Sequence, residues 1–394
     1  MKTKIILIIF ILLIVFLSQA KGCEYSIRDM GFVDIMSVPY HLYFFVEDKT
    51  PEDFISIFTE TSYTIFMDSN VKFEVVNVNK QISSSLLEYL HFWNIEKFPA
   101  VILVSPEGRS MVLPVSVPGK PFKETLWSSL ESVVTSLKRK EILNHIVRAY
   151  CIVLLIEGKN KADNNRIYNM IADLRRKIAK TMSQLPKRID EPPYIVKIKQ
   201  RMLKQESVLL WSLGLNFNDV NEPCVSIIYG RGRIIGPVFK GKQILRNRLY
   251  NILSVIGLSC ECGLDRKWIL GTLIPLKWGE KIQANVVKFL GFDAESPMVK
   301  TEVSNILSLG AYSMNTDSSK SDFDKYTEEL IKFNNEPVRT RISPSRYREL
   351  VTPANVASKS YLNVKITLIV IGIMILFVIT AGLYILFRSR RRTL

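Results

Sequence analysis

From residue 40 to 140 the hydrophobic positions alternate between two rhythms: short continuous runs, and longer stretches at helical spacing. Tyr40, Leu42, Phe44, Phe45 and Val46 make a run of strand length whose aromatic and aliphatic content predicts a buried strand. Pro51 then opens a segment with Phe54, Ile57, Phe58 and Ile65 at largely helical spacing, since a helix start has no use for the N–H that proline lacks. Val71 to Val78 predicts a second strand. Leu86, Leu87, Leu90 and Trp93 predict a helix that ends before Phe98 and Pro99. Ala100 to Val104 is a third strand, folded back by the Pro106-Glu107-Gly108 turn into a fourth, Met111 to Val115. A helix over Phe122 to Leu137 closes a βαβαββα order.

The order then repeats. Tyr150 to Ile156 predicts a strand, and Ile167, Met170, Ile171, Leu174, Ile178 and Met182 mark a long amphipathic helix with Arg175, Arg176 and Lys180 on its other face. Tyr194 to Ile198 is the next strand and Val208 to Leu215 a short helix. Cys224 to Tyr229 and Arg233 to Phe239 form a hairpin around Gly230-Arg231-Gly232, and Leu245, Leu249, Ile252, Leu253 and Ile256 finish on a helix. Two segments passing one template make a tandem more credible than either alone. The expected architecture is α/β, with parallel strands joined by helices, one antiparallel hairpin per sheet, and helices on both faces. Beyond Gly257 the pattern changes to a helical pair, Gly279 to Leu290 and Pro297 to Leu309, and then to a polar stretch punctuated by Pro337, Pro344 and Pro353.

The chain ends carry a different signal. Lys2 and Lys4 precede an apolar run from Ile5 to Leu17 and then Ser18, Gln19 and Ala20, the layout of a secretory leader; cleavage after Ala20 and after Gly22 both fit. An uncharged run from Ile366 to Phe387 is long enough as a helix to cross a bilayer, and Arg388, Arg390, Arg391 and Arg392 close it on what the positive-inside rule makes the cytoplasmic side. The expected arrangement is single-pass type I, with the bulk of the chain outside the cytoplasm. Gly372 and Ala381-Gly382 permit close helix approach but form no clear small-xxx-small motif. No Asn is followed two places on by Ser or Thr, which favours a bacterial envelope, with the anchor in the inner membrane and the domains periplasmic. The expected division is leader 1–22, domain 33–140, domain 145–258, a Cys-x-Cys block with the helical pair 259–310, a stalk 311–363, a transmembrane helix 364–387 and a basic tail 388–394.

Each repeated unit resembles the thioredoxin fold. The feature that carries the resemblance furthest is Phe98-Pro99-Ala100-Val101 at the start of the third strand, where that family holds a cis-proline; Glu222-Pro223-Cys224-Val225 repeats it. Oxidoreductases of the family place Cys-x-x-Cys at the start of the helix after the first strand, where the helix N-terminus lowers the thiol pKa. Here those places read Val46-Glu47-Asp48-Lys49-Thr50-Pro51 and Glu157-Gly158-Lys159-Asn160-Lys161, without cysteine. The resemblance therefore implies the fold and the proline loop without the catalysis. Redox-silent domains of this type, as in protein disulfide isomerases, generally bind other polypeptides. The block Cys260 to Trp278 is also similar to a signature segment of exported, membrane-anchored bacterial proteins, a likeness that implies no activity.

The remaining chemistry is sparse. Cys260-Glu261-Cys262-Gly263 places two thiols two residues apart, suited to paired thiols, a strained bridge, or a redox exchange site; as half of a metal site it lacks further ligands nearby, since His41, His91 and His145 are far off in sequence. Cys151 and Cys224 fall on strands that adjoin in the thioredoxin fold, so packing and a disulfide are both open. Cys23 lacks the preceding pattern of a lipid-acceptor cysteine, with Ala20 and Lys21 at the informative places. Gly230-Arg231-Gly232-Arg233 opens no helix and reads as a hairpin turn, and no Gly-x-Ser-x-Gly occurs. No cofactor or metal is expected.

Of the net charge of +16, about +9 remains once the leader's two lysines and the five basic residues from Lys365 onward are set aside. Export makes nucleic acid an improbable partner, leaving anionic lipid headgroups or an acidic polymer. The sequence thus favours a membrane-anchored binding or scaffolding protein for other exported or membrane proteins. Its expected contact residues are Phe98, Pro99, Glu222, Pro223, Trp268 and Trp278. The alternative is thiol-disulfide exchange by Cys260 and Cys262. The oligomeric state is not legible.

Overall fold

The computed structural model describes residues 25–35, 37–185, 187–258 and 271–310, all within one compact unit. The leader, the Cys260–Cys262 pair, Trp268, the stalk, the apolar run 364–387 and the basic tail lie outside the described residues. No helix among the described residues is long and apolar enough to cross a membrane.

The first sheet holds β1 (Tyr40–Val46), β2 (Val71–Asn77), β3 (Ala100–Val104) and β4 (Ser110–Leu113) in the order β2-β1-β3-β4. β1 runs parallel to β2, with Tyr40 opposite Val71. It runs antiparallel to β3, with Phe44 opposite Val101. So β3 starts at the end of the sheet where β2 finishes, which helical spacing does not disclose. Successive β1 side chains take opposite faces. Tyr40, Leu42, Phe44 and Val46 face α2 (Glu52–Phe66) and α4 (Phe122–Val134), whereas Tyr43 and Phe45 face α3 (Ser84–Phe92). Phe44 and Phe58 stack across the larger interface at 4.2 Å between ring centres.

The second sheet repeats this plan with β5 (Ile152–Ile156), β6 (Tyr194–Ile198), β7 (Cys224–Tyr229) and β8 (Arg233–Lys240) in the order β6-β5-β7-β8. Helices α5 (Leu137–Ile146), α6 (Lys161–Thr181), α7 (Ser207–Ser212) and α8 (Arg246–Ile256) surround it. The helix expected over 122–137 is therefore two: α4 stops at Val134, and Ser136 caps a new helix by accepting from the Arg139 N–H at 3.2 Å. α5 buries Ile142 and Ile146 in the second core, past the expected domain edge at 140.

Two further segments complete that core. Before β1, the short helix α1 (Ile27–Met30) starts in a capping box on Ser26 and buries Ile27, Met30, Phe32 and Val33 with the second unit. Its approach is backbone to backbone: a Cβ at Gly230, where φ is +55°, would stand 2.1 Å from the Gly31 carbonyl carbon. After the second unit, α9 (Glu280–Leu290) and α10 (Pro297–Gly310) insert Val286, Leu290, Val299 and Val303.

The chain between Gly271 and Trp278 straps the units together. It extends the edge of β8, where the Ile234 N–H donates to Thr272 O and the Ile274 N–H to Gly232 O, both at 3.0 Å. It then crosses to the first unit, where Tyr40 donates to Leu273 O at 2.9 Å and Asn70 brackets Ile274 O and the Leu276 N–H at 3.0 Å. Arg109 adds a second tie, donating to Trp211 O and Ser212 O at 2.8 and 3.1 Å.

Candidate functional site

In this topology the loop after the first strand, the following helix N-terminus and the loop before the third strand form one corner of each unit. In the first unit that corner holds no thiol, and Glu47, Asp48 and Lys49 are exposed there. The Glu47–Thr50 turn closes on itself, with the Thr50 N–H donating to Glu47 O and the Glu47 N–H to Thr50 Oγ1, both at 3.0 Å. Asn77 and Asn79 steady it through Asp48, at 2.8 and 2.9 Å. α2 begins without a side-chain cap, and Glu52 and Asp53 occupy its first turn. Those carboxylates answer the positive end of the helix dipole, which in an oxidoreductase would stabilise a thiolate.

The Phe98–Pro99 bond is cis. Phe98 is half-buried against a cluster of Tyr43, Phe45, Leu90 and Ile102. Just before it, α3 ends in an aromatic pair that faces outward: Phe92 is 62% exposed and Trp93 39%, with ring centres 5.2 Å apart and planes at 89°. Trp93 is held over β4 by its indole N–H, which donates to Ser110 Oγ at 2.9 Å. Asn94, at φ +48°, then turns the chain toward the proline loop. The sequence reading had Trp93 on the buried face with Leu90. The helix ends at Phe92 and Trp93 is already its C-cap, where helical spacing no longer sets which face a side chain takes.

The second unit's corner is sealed. A Cβ on Gly158 would lie 2.5 Å from the Glu222 carbonyl carbon and 2.6 Å from Pro223 N, so the loop after β5 presses directly on the loop before β7. The Lys159 N–H donates to Asn221 O at 2.8 Å, and Gln200 Nε2 to both Glu157 O and Val220 O at 2.7 and 3.0 Å. Asn164 closes a reciprocal pair with Gly158 at 2.8 and 2.9 Å. Glu222–Pro223 is not cis, since Phe98–Pro99 is the only such bond among the described residues. Pro223 is buried and Glu222 exposed.

The structure disperses the other expected site residues. Trp278 is 7% exposed, donates its indole N–H to Gln283 Oε1 at 3.1 Å, and packs beside Phe32 and under Arg231. It closes the core instead of presenting a contact patch. Cys151 and Cys224 are both free. Their strands adjoin but run antiparallel: Cys224 faces Ile156, while Cys151 precedes Ile152, which faces Ile228. That register separates them by about five residues, roughly 17 Å at about 3.4 Å per residue, well beyond disulfide reach. Burial raises both thiols, Cys224 to about 11 against the opposing pull of Lys240, so neither is a thiolate near neutrality.

Three comparisons bear on this geometry. No protein-family model matches the chain, and no curated protein does. Among solved structures, the first two thioredoxin domains of Naumovozyma dairenensis Eps1p are 14% identical with a TM-score of 0.21, covering 56% of this chain and 92% of that one. The Saccharomyces cerevisiae Eps1p domains are 15% identical at 0.18, covering 51% and 85%. Human ERp44 in its zinc-bound form is 12% identical at 0.20, covering 66% and 62%. Both units have the strand order and strand directions of a thioredoxin-like fold, and the first adds the cis-proline before β3.

Proposed function

We propose that this chain is an exported, membrane-anchored binding protein whose redox-silent thioredoxin-like domains hold other exported or membrane polypeptides. The observation that carries the reading is the contrast between the two units. The first has no thiol at its corner, and at the opposite end of its sheet, against Ser110, it exposes Phe92 and Trp93, an amphipathic aromatic surface of the kind that anchors protein contacts. The second is closed at its corner by its own backbone and supports the first through the strap. Anchoring by residues 364–387 in a type I arrangement would keep both corners outside the cytoplasm. The basic balance would favour anionic headgroups nearby.

Thiol-disulfide exchange by Cys260 and Cys262 remains the competing reading, and one experiment separates the two. The purified full chain is reduced, desalted and treated with N-ethylmaleimide under native conditions, which spare the buried Cys151 and Cys224, and its capture of reduced, carboxymethylated polypeptide is compared with that of the untreated chain. Binding within twofold of the untreated value is expected. Loss of capture on alkylation would transfer the function to the thiols.

A further inference from the structure

Where the end of α4, the helix α5 and the start of α9 meet, the fold leaves a cavity of about 330 Å³. That is near the lower end of the volumes that hold small ligands, about 300 Å³. Its inner wall is apolar, with Val134 buried and Leu143 and Ile282 half-buried. Its rim is cationic: Lys140 and Lys281 are exposed and Lys277 half-exposed, and no carboxylate lines the space. The lysine ion pairs among the described residues involve other lysines, and Lys277 Nζ makes only a loose 3.5 Å approach to Thr64 O.

Behind the rim sits a fourth cation. Arg139 is 1% exposed and lines the same cavity, yet its hydrogen bonds go only to neutral acceptors: Ser136 Oγ and the carbonyls of Ser132, Val133, Thr135 and Pro275. Burial lowers its pKa to about 10, opposed by Glu206 and Tyr40. The carbonyl end of α4 offsets part of the charge through its dipole, and Glu206 reaches it only by way of Ser136. A buried cation without a directly bonded carboxylate is costly and gains from an anion beside it. Asp68, whose Oδ2 would be 3.8 Å from a Cβ at Gly279, stands near the uncapped start of α9 but does not line the space.

We propose that this cavity binds an anionic amphiphile, a phosphate or carboxylate head on an alkyl chain, with the chain against Val134, Leu143 and Ile282 and the head among Lys140, Lys277 and Lys281. An anionic lipid headgroup and a free alkyl anion share this chemistry. The inference requires neither a thiol nor a polypeptide partner, so its failure leaves the proposed function standing.

The test is calorimetric titration of the purified full chain with octyl phosphate, octanoate, octanol and inorganic phosphate, alongside a Lys277→Gln, Lys281→Gln double variant. Both substitutions are at solvent-reaching positions, and an unchanged unfolding midpoint verifies the fold. Octyl phosphate is expected to bind at least about tenfold more tightly than octanol or inorganic phosphate, and the double variant to lose about tenfold. Octanoate binding like octyl phosphate assigns the site to alkyl anions generally; octyl phosphate alone assigns it to phosphate-bearing lipids. Equal binding of octanol, equal binding of inorganic phosphate, or an unaffected double variant would each overturn the proposal.

Discussion

Arg139→Ala is expected to destabilise the protein by about 2–4 kcal/mol, the largest single loss from any side chain at the seam between the two units. The guanidinium ties the local turn from α4 to α5, at Ser132, Val133 and Ser136, to the strap at Pro275, 136 residues on. Removing it strands buried carbonyls, each costing about 1–3 kcal/mol, and the desolvation relieved by losing a buried charge returns only part of that sum. Arg139→Met serves as the control, since it keeps apolar volume while removing the donors. Urea unfolding of both variants measures the effect. Equal stability of wild type and Arg139→Ala would mean that the seam is held by the strap and apolar packing alone.

Gly158→Ala is expected to cost about 1–3 kcal/mol, a large penalty for one methyl group, because the new Cβ meets backbone and not a yielding side chain. The nearest atoms are the Glu222 carbonyl carbon, Asn221 O and Pro223 N at 2.5, 2.6 and 2.6 Å. The loop before β7 must retreat, and the Lys159 N–H bond to Asn221 O should break with it. Amide exchange at Lys159 is expected to accelerate in the variant while exchange within β5 stays slow. Gly108→Ala is the comparison: its φ of +82° carries backbone strain, but open space surrounds it. A Gly158 variant no less stable than wild type would show that the second corner is not closed by contact.

The strands were the most legible part of the fold. β1, β3, β5 and β7 are apolar runs buried on both faces, and such runs have strand length and little else to become. Both hairpins were likewise visible, because Gly108, Gly230 and Gly232 sit at positive φ where the turns require it. What periodicity does not encode is partnership. Ile27, Met30, Phe32 and Val33 precede the first strand in the chain, yet they serve the second core, which lies more than a hundred residues on. The strap was legible as apolar but not as a bridge, since its role depends on Tyr40 and Asn70 from one unit and β8 from the other.

At the candidate site the missing thiols were plain from Val46–Pro51 and Glu157–Lys161, and Phe98–Pro99 marked the loop that the structure holds in cis. Trp278 misled because an indole flanking an apolar run has the same signature whether it fills a core or faces a partner; only the contacts with Phe32 and Arg231 distinguish them. Trp93 shows the converse: its spacing groups it with the buried face of a helix that buries only Leu90, while Phe92 falls outside that spacing.

Recognition is proposed to take place on the aromatic surface of Phe92 and Trp93, at the Ser110 end of the first sheet. Its most direct measurement is the affinity of the full chain for a reduced, carboxymethylated polypeptide, compared with a Phe92→Ser, Trp93→Ser variant whose unfolding midpoint is unchanged. Loss of two exposed aromatic anchors should weaken binding by about thirtyfold or more, the equivalent of about 2 kcal/mol or above. Binding by the variant at the wild-type affinity would contradict the claim and place recognition elsewhere on the chain.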